Sequence, residues 1–418
     1  MRSPNLNKIP TPFFLYDLSL LEETLTRASK AASRYDYFLH YAMKANHEAV
    51  ITQTISGYGF GADCVSGNEI RASLDSGFRP ETIAFAGVGK TDEEISLALE
   101  NNIGCFNCES VEELKVVGAI AKSMGKVAKL ALRVNPDINP LTHKKITTGS
   151  KENKFGINEK DLQEALDFCH HHPGIEFIGL HFHIGSQILS LDPYIDLCRK
   201  ASQIWEAFSI EKYGGRMLNL GGGLGIDYLN PGKNSIPDFD SFFDVFSRNL
   251  QIPGHVKVHF ELGRSLVGQC GSLISRVLYV KQGISKKMII LDAGMTELLR
   301  PALYQAMHKV ENISSRLPEE LCDVVGPACE SSDVFARDIY LPETARGDLL
   351  AIRSCGAYAQ SMSLRYNLRN EAVAYTYRSR EKSAIIHSLA KVNQPEECSG
   401  QEPDNEPLSK IQDPEFTF

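Results

Sequence analysis

The chain has 418 residues, more than one compact core serves, so two domains are expected. Hydrophobic residues make up 43% and charged residues 23%, an ordinary balance for a water-soluble protein. No apolar run approaches the ~20 residues that span a bilayer, and the net charge of −8 comes without a basic cluster, which argues against membrane and nucleic-acid partners.

The first residues, Met-Arg-Ser-Pro-Asn-Leu-Asn-Lys, lack the apolar stretch of a secretory signal, so a cytoplasmic location is expected. The strand-like Pro12–Tyr16 fits either half of the chain. From about residue 30 to 270, short apolar runs (Tyr37–Met43, Thr82–Ala86, Ala128–Val134, Phe177–His183, Met217–Leu220, His255–Glu261) alternate with amphipathic stretches such as Asp92–Glu100, Val111–Met124 and Glu159–His170. Such alternation predicts parallel βα units, and eight of them in this length predict a TIM-like (βα)8 barrel, with a doubly wound sheet as the alternative. After Gly271 the runs Ser272–Val280, Met288–Asp292, Asp348–Arg353 and Ala372–Tyr377 read as strands without long helices between them. The expected organisation is therefore an α/β barrel plus an all-β domain. The barrel covers 28–271; residues 1–27 plus 272–385 form a C-terminal β-barrel or sandwich. In Asn393–Phe418 seven acids stand against Lys410 alone, among four prolines, so 386–418 is expected to be an acidic, disordered tail.

Ten scattered cysteines without a secretory signal read as reduced thiols, and the single C-x-x-C, Cys105 with Cys108, as two thiols near a strand end rather than a zinc site. In a barrel, chemistry gathers at the carboxyl ends of the strands, which singles out Lys44, Asp63, Arg133, His183, the Gly221–Gly225 loop and Glu261. Lys44 ends an apolar run, where desolvation would lower its pKa and free a nucleophilic amine, unless it snorkels to solvent. The run Asn219-Leu220-Gly221-Gly222-Gly223-Leu224-Gly225 fits neither G-x-G-x-x-G nor a P-loop; it is either a phosphate cradle or a tight structural turn. His181 and His183 share one face of a strand, as a metal pair, as a ring stacked on a flat ligand or as packed histidines. Glu261 with Arg264 is either a site pair or a surface ion pair. Arg300 and Tyr304, four apart, would share a helical face. Cys329 beside Glu330 offers a thiol next to a carboxylate.

Taken together and in order, the blocks His40–Asn46, Gly61–Ser66, Gly179–Gln187, Gly221–Gly225, Glu261–Ser265, Asp292–His308, Gly326–Ala336 and Gly356–Tyr358 resemble the diaminopimelate decarboxylases, within the alanine-racemase-like fold of pyridoxal-phosphate (PLP) enzymes. The resemblance spans about residues 8–378. It implies decarboxylation of meso-2,6-diaminopimelate to L-lysine and CO2, the last step of lysine biosynthesis. Decarboxylases of ornithine, lysine or carboxynorspermidine are the alternative, and a catalytically inactive regulatory homologue a remote one.

By the same resemblance Lys44 carries the cofactor, His183 stacks on its ring, and Asp63 and Gly263 stand close to it. Ser186, Gly221, Gly222, Gly223 and Arg264 lie around the phosphate. Glu261 faces the pyridine nitrogen, where racemases of this fold place an arginine, so it favours decarboxylation. Arg264, Arg300, Tyr304 and Glu330 meet the substrate, Tyr358 reaches cofactor or substrate from the partner subunit, and Cys329 is the general acid, also reaching across. A homodimer with shared active sites follows; no metal is implied. The usual Glu-Pro-Gly-Arg reads Glu261-Leu262-Gly263-Arg264 here, losing the proline and keeping both functional side chains.

Overall fold

In the computed structural model, which describes residues 6–138, 154–378 and the short strand 387–388, the first strand β1 (Phe13–Asp17) leads directly into helix α1 (Leu18–Ser33). Eight strands then form a closed, all-parallel barrel: β2 (Phe38–Ala42), β3 (Gly61–Cys64), β4 (Ile83–Phe85), β5 (Cys105–Cys108), β6 (Ala128–Arg133), β7 (Ile175–His181), β8 (Met217–Asn219) and β9 (Lys257–Leu262). Closure is made by β9 pairing with β2, where Glu261 stands opposite His40. Residues on both faces of these strands are buried, the interior on one side and helices on the other, which is why they read as near-continuous apolar runs.

The outer helices are α2 (Ala49–Gly57), α3 (Gly67–Asp75), α4 (Asp92–Glu100), α5 (Val111–Ser123), α6 (Leu162–His171), α7 (Asp192–Ala207) and α8 (Phe239–Asn249). Four of their starts carry side-chain caps: Ser66 on α3, a Thr91–Glu94 capping box on α4, Ser110 on α5 and Asp238 on α8. Helix α8 buries Phe239, Phe242, Phe243 and Phe246 at helical spacing. Phe246 meets the ring of Phe260 edge-on at 4.7 Å. Strand alternation then turns the next residue, Glu261, into the barrel.

The strands Cys105–Cys108 and Gly61–Cys64 are only four residues long. Cys105 and Cys108 both lie within β5, three positions apart, so strand parity sends them to opposite faces and separate apolar clusters. Among the described residues nine cysteines are free, and only Cys329 is exposed.

Beyond the barrel, the four-residue helix α9 (Arg264–Val267) leads into a nine-stranded sheet. It comprises β1 with β10 (Gly271–Gln282), β11 (Lys287–Leu291), β12 (Val310–Asn312), β13 (Glu319–Val325), β14 (Val334–Pro342), β15 (Leu349–Ile352), β16 (Val373–Tyr377) and β17 (His387–Ser388). Helix α10 (Arg300–Tyr304) lies between β11 and β12. The first strand belongs here: it runs antiparallel to β10 and parallel to β16. The expected boundary at residue 27 falls within α1, which continues to Ser33 and packs on α8 of the barrel. Strands β12 to β14 were not expected from the sequence. In β13 and β14 charged residues interrupt the apolar pattern because only part of each strand is covered. Apart from β17, the stretch 386–418, expected to be an acidic tail, lies outside the described residues. No described helix is long and apolar enough to cross a membrane.

At Gly179 of β7 an added Cβ would sit 1.8 Å from the Met217 carbonyl oxygen of β8. Gly179→Ala must therefore push two barrel strands apart and is expected to lower stability by about 2–4 kcal/mol in urea unfolding. A loss below about 0.5 kcal/mol would show that the β7–β8 contact is not tight.

Candidate active site

A cavity of about 440 Å3 opens at the carboxyl ends of the barrel strands. Lys44 enters it from the single 3-10 turn Met43–Ala45 that follows β2. Its Nζ donates to Asp63 Oδ2 at 3.0 Å; the lysine side chain is 41% exposed to the cavity and that of Asp63 1%. Burial pulls the ammonium pKa down, but Asp63, Tyr358 and Glu261 outweigh it and hold it above the ordinary lysine value. The expectation of a lowered pKa at Lys44 is thus corrected: desolvation acts, and the neighbouring anionic groups win. Burial and the charge of Glu261 push the Asp63 carboxyl up, against the pull of Lys44.

Glu261 lies on the floor of the cavity with its two oxygens clamped from three other strands. Asn107 Nδ2 of β5 donates to Oε1 at 3.1 Å and Asn219 Nδ2 of β8 to the same oxygen at 2.7 Å. His181 Nε2 of β7 meets Oε2 at 2.9 Å. Burial alone would raise this carboxyl; His181, Lys44 and His40 reverse the shift and hold it well below the usual carboxylate range. Glu261 and Arg264 are both buried, so they are not a surface pair. His183, two residues beyond the end of β7, accepts from the Gly222 N–H at Nδ1 (3.3 Å). Burial, Arg133 and Lys44 lower its pKa, so its ring is neutral with hydrogen on Nε2.

The glycine loop takes the form of the tight structural turn. An added Cβ would lie 2.4 Å from the Phe182 oxygen at Gly221 and 1.9 Å from the Glu261 oxygen at Gly222. Gly221 and Gly223 adopt φ of 66° and 98°. The turn is therefore structural, and Gly223 also lines the cavity. Beside it, Arg264 donates to Tyr228 Oη at 2.5 Å and to Ser186 Oγ at 3.0 Å. Arg300 of α10 donates through one nitrogen to Tyr228 Oη at 2.8 Å and His308 Nε2 at 2.9 Å. Both guanidiniums are buried, and neither has a carboxylate partner among the described residues. Arg300 and Tyr304, the two ends of α10, both line the cavity.

Tyr358 lines this chain's own cavity, its ring 4.8 Å from the Arg264 guanidinium and near Gly263. Its N–H donates to the Ala45 carbonyl at 2.8 Å, which holds its left-handed backbone (φ 56°). It was expected from a partner subunit; the turn after β15 instead folds back over the Lys44 turn. Cys329 and Glu330 lie elsewhere, exposed on the loop between β13 and β14. The Cys329 N–H donates to Asn367 Oδ1 at 3.2 Å, and Tyr366 Oη donates to Glu330 Oε1 at 2.6 Å. Neither lines the cavity.

Sequence reasoning missed the roles of Asn107, Asn219, Tyr228 and His308. It named His181 without a task, although its place two residues before His183 marked it. Arg133, singled out at a strand end, lines the cavity and pairs with Glu109 at 2.7 Å.

Residues 18–268 match the family described as pyridoxal-dependent decarboxylase, pyridoxal binding domain. A diaminopimelate decarboxylase of Bacteroides thetaiotaomicron is 50% identical over 369 residues, covering 88% of this chain and 96% of the relative. The crystal structure of diaminopimelate decarboxylase from Helicobacter pylori complexed with L-lysine superposes with a TM-score of 0.85 at 38% identity, covering 91% of this chain and 94% of that one. The chain belongs to the diaminopimelate decarboxylase family of pyridoxal-dependent enzymes. A lysine/ornithine decarboxylase of Vibrio vulnificus complexed with cadaverine shares the fold, with a TM-score of 0.77, at 21% identity and coverage of 89% of this chain and 96% of that one.

The family's cofactor, pyridoxal phosphate, suits the residues present. Buried polar atoms without a partner among the described residues, Asp63 Oδ1, His181 Nδ1, Arg264 Nε and Ser265 Oγ, cluster around this region. The cavity joins an amine, an ionised carboxylate and two cations lacking counter-charge, which matches an aldehyde, a ring nitrogen and a phosphate.

His40 and His308 are buried, and burial lowers both pKa values, that of His308 to about 3. A depressed folded-state pKa leaves stability intact above the unfolded value and removes it as pH falls toward the folded one. Urea unfolding of the cofactor-free protein should therefore show stability falling from about pH 6.5 downward, by up to about 1.4 kcal/mol per pH unit for each such histidine. The fall should be shallower in His308→Gln than in wild type; the same slope in both would contradict neutral burial of this histidine.

Proposed function

We propose that the protein is a cytoplasmic homodimer that decarboxylates meso-diaminopimelate to L-lysine and CO2 with pyridoxal phosphate. One observation carries the substrate: Arg264 and Arg300 are buried on the same cavity as Lys44, without a carboxylate partner among the described residues. A buried cation needs a counter-charge. The cofactor phosphate answers one, and a second carboxylate on the substrate answers the other by charge-assisted hydrogen bonds. Ornithine-type substrates have no such distal carboxylate. The name diaminopimelate decarboxylase also recurs among relatives from Helicobacter pylori and Aquifex aeolicus at 40% and 37% identity.

The chain's residues divide the work. When bound, pyridoxal phosphate supplies an aldehyde to join the substrate amine and a ring that takes up the electron pair left by CO2. Lys44 would hold that aldehyde, and Asp63, 3.0 Å away, orients its amine toward the cavity. Glu261, kept ionised by its three partners, holds a proton on the ring nitrogen. His183 offers a neutral ring face, Ser186 and Gly221–Gly223 surround the phosphate with Arg264, and Gly263 leaves room beside Tyr358. Arg300 and Tyr304 receive the distal end of the substrate. Cys329 and Glu330 are exposed away from this cavity, which favours their service to the partner's site, Cys329 as proton donor and Glu330 against the distal ammonium.

Loaded with cofactor and offered meso-diaminopimelate, L-lysine, L-ornithine and carboxynorspermidine in parallel, the protein should release CO2 fastest from diaminopimelate. A higher kcat/KM on any of the others would overturn the substrate assignment. Without the characteristic cofactor absorbance band the enzyme reading itself would fall.

Shared sites predict complementation. Lys44→Ala and Cys329→Ala should each be nearly inactive, and Lys44→Ala should lose the covalent cofactor band. After subunit exchange an equimolar mixture should recover about a quarter of wild-type activity, since half of the dimers then carry one native site. No recovery, with exchange verified, would mean that Cys329 does not cross to the partner.

A further inference from the structure

We infer that His308 and Tyr228 are positioning residues that fix Arg300 toward the distal carboxylate of the substrate and so set the preference for substrates that carry one. This rests on the functional reading above. The inference stands on the geometry behind Arg300. His308 Nδ1 lies 2.8 Å from the Arg353 carbonyl oxygen, which can only accept, so the proton is on Nδ1. Nε2 is left with a lone pair, and it receives the Arg300 N–H at 2.9 Å. Burial and the facing Arg300 lower the pKa of this imidazole to about 3, so it stays a neutral acceptor and does not repel the guanidinium.

Tyr228 completes the hold. Its oxygen accepts from Arg300 and Arg264 together, and the Arg300 guanidinium lies 4.8 Å from its ring. That ring meets His308 edge-on at 4.8 Å, so the two acceptors brace each other. Two buried cations are thereby tied to one phenol oxygen, and the same Arg300 nitrogen is anchored twice. Holding one nitrogen fixes the plane of the guanidinium, and a planar fork discriminates carboxylates by orientation. Without the acceptors Arg300 keeps its charge and loses its aim.

The test uses direct calorimetric binding of L-lysine and of cadaverine, which lacks the carboxylate, to cofactor-loaded wild type, His308→Ala, His308→Gln and Tyr228→Phe. Retention of the cofactor absorbance band shows that each variant keeps its site. His308→Ala and Tyr228→Phe should weaken L-lysine about tenfold or more while cadaverine moves by less than about threefold; His308→Gln, which restores an acceptor, should recover much of the loss. The KM for diaminopimelate should rise by more than kcat falls. Equal weakening of both ligands, or an unchanged ratio in Tyr228→Phe, would overturn the inference while wild-type turnover of diaminopimelate stands. Wild type that binds cofactor and releases no CO2 from diaminopimelate overturns the functional reading, and this inference with it.

Discussion

A carboxylate held ionised away from water is the constraint on which the rest of this site depends. An isolated charge at Glu261 would take up a proton instead of staying ionised. Its three partners come from β5, β7 and β8, and Glu261 itself from β9. None is near another in sequence, so the clamp exists only once the barrel has closed. The closing strand is fixed from outside by Phe260 against the phenylalanines of α8. Hydrophobic packing on one face of β9 and an ionised carboxylate on the other are thus consequences of a single strand register.

Charge balance then explains the division of the cavity. Lys44 is paired with Asp63, and Arg133 with Glu109. Glu261 is satisfied by His181 and two amides. What remains is an excess of positive charge on one wall, Arg264 with Arg300, spread over a tyrosine and a neutral histidine. Such an arrangement is costly in the empty protein and favourable once anions fill it, which is the condition for binding a phosphate and a dicarboxylic substrate in the same space.

Much of this was legible in the sequence, for physical reasons that differ by residue. Lys44, Asp63, His183 and Glu261 end strands or follow them, and polar residues at the ends of apolar runs stand out even in a single sequence. The parallel barrel was legible because its strands are buried on both faces. The β13 and β14 strands were not, since a partly covered strand interrupted by charges has no clear period. Asn107 and Asn219 sit within strands and look like any polar residue there; their task depends on a carboxylate 154 and 42 positions away. His308 is informative only through its hydrogen bond to the Arg353 carbonyl, a backbone contact that side-chain motifs do not reveal. The misplacement of Tyr358 has the same origin: which chain supplies a residue depends on how the turn after β15 folds back. The shift at Lys44 was misjudged because desolvation can be read from an apolar run, whereas Asp63 approaches only across a strand pair.

The distribution of these residues along the chain separates chemistry from selectivity. Lys44, Asp63, His181, His183, Glu261 and Arg264 all fall within the barrel segment that matches pyridoxal-dependent decarboxylases at large. Arg300, Tyr304, His308 and Tyr358 come after it, from connections between strands of the sheet that β1 and β10 join to the barrel. The barrel can therefore keep one set of reacting groups while the later segment changes what is held at the far end of the cavity. The Vibrio lysine/ornithine decarboxylase, sharing the fold at 21% identity, shows how far the sequence can diverge under the same architecture. On the proposed reading, selectivity rests on whether a cation such as Arg300 is present and how firmly its plane is held. On that reading the orientation is provided by Tyr228, just beyond the barrel's glycine loop, and His308, in the connection before β12, so the seam between the two parts is where a shared mechanism acquires its particular substrate.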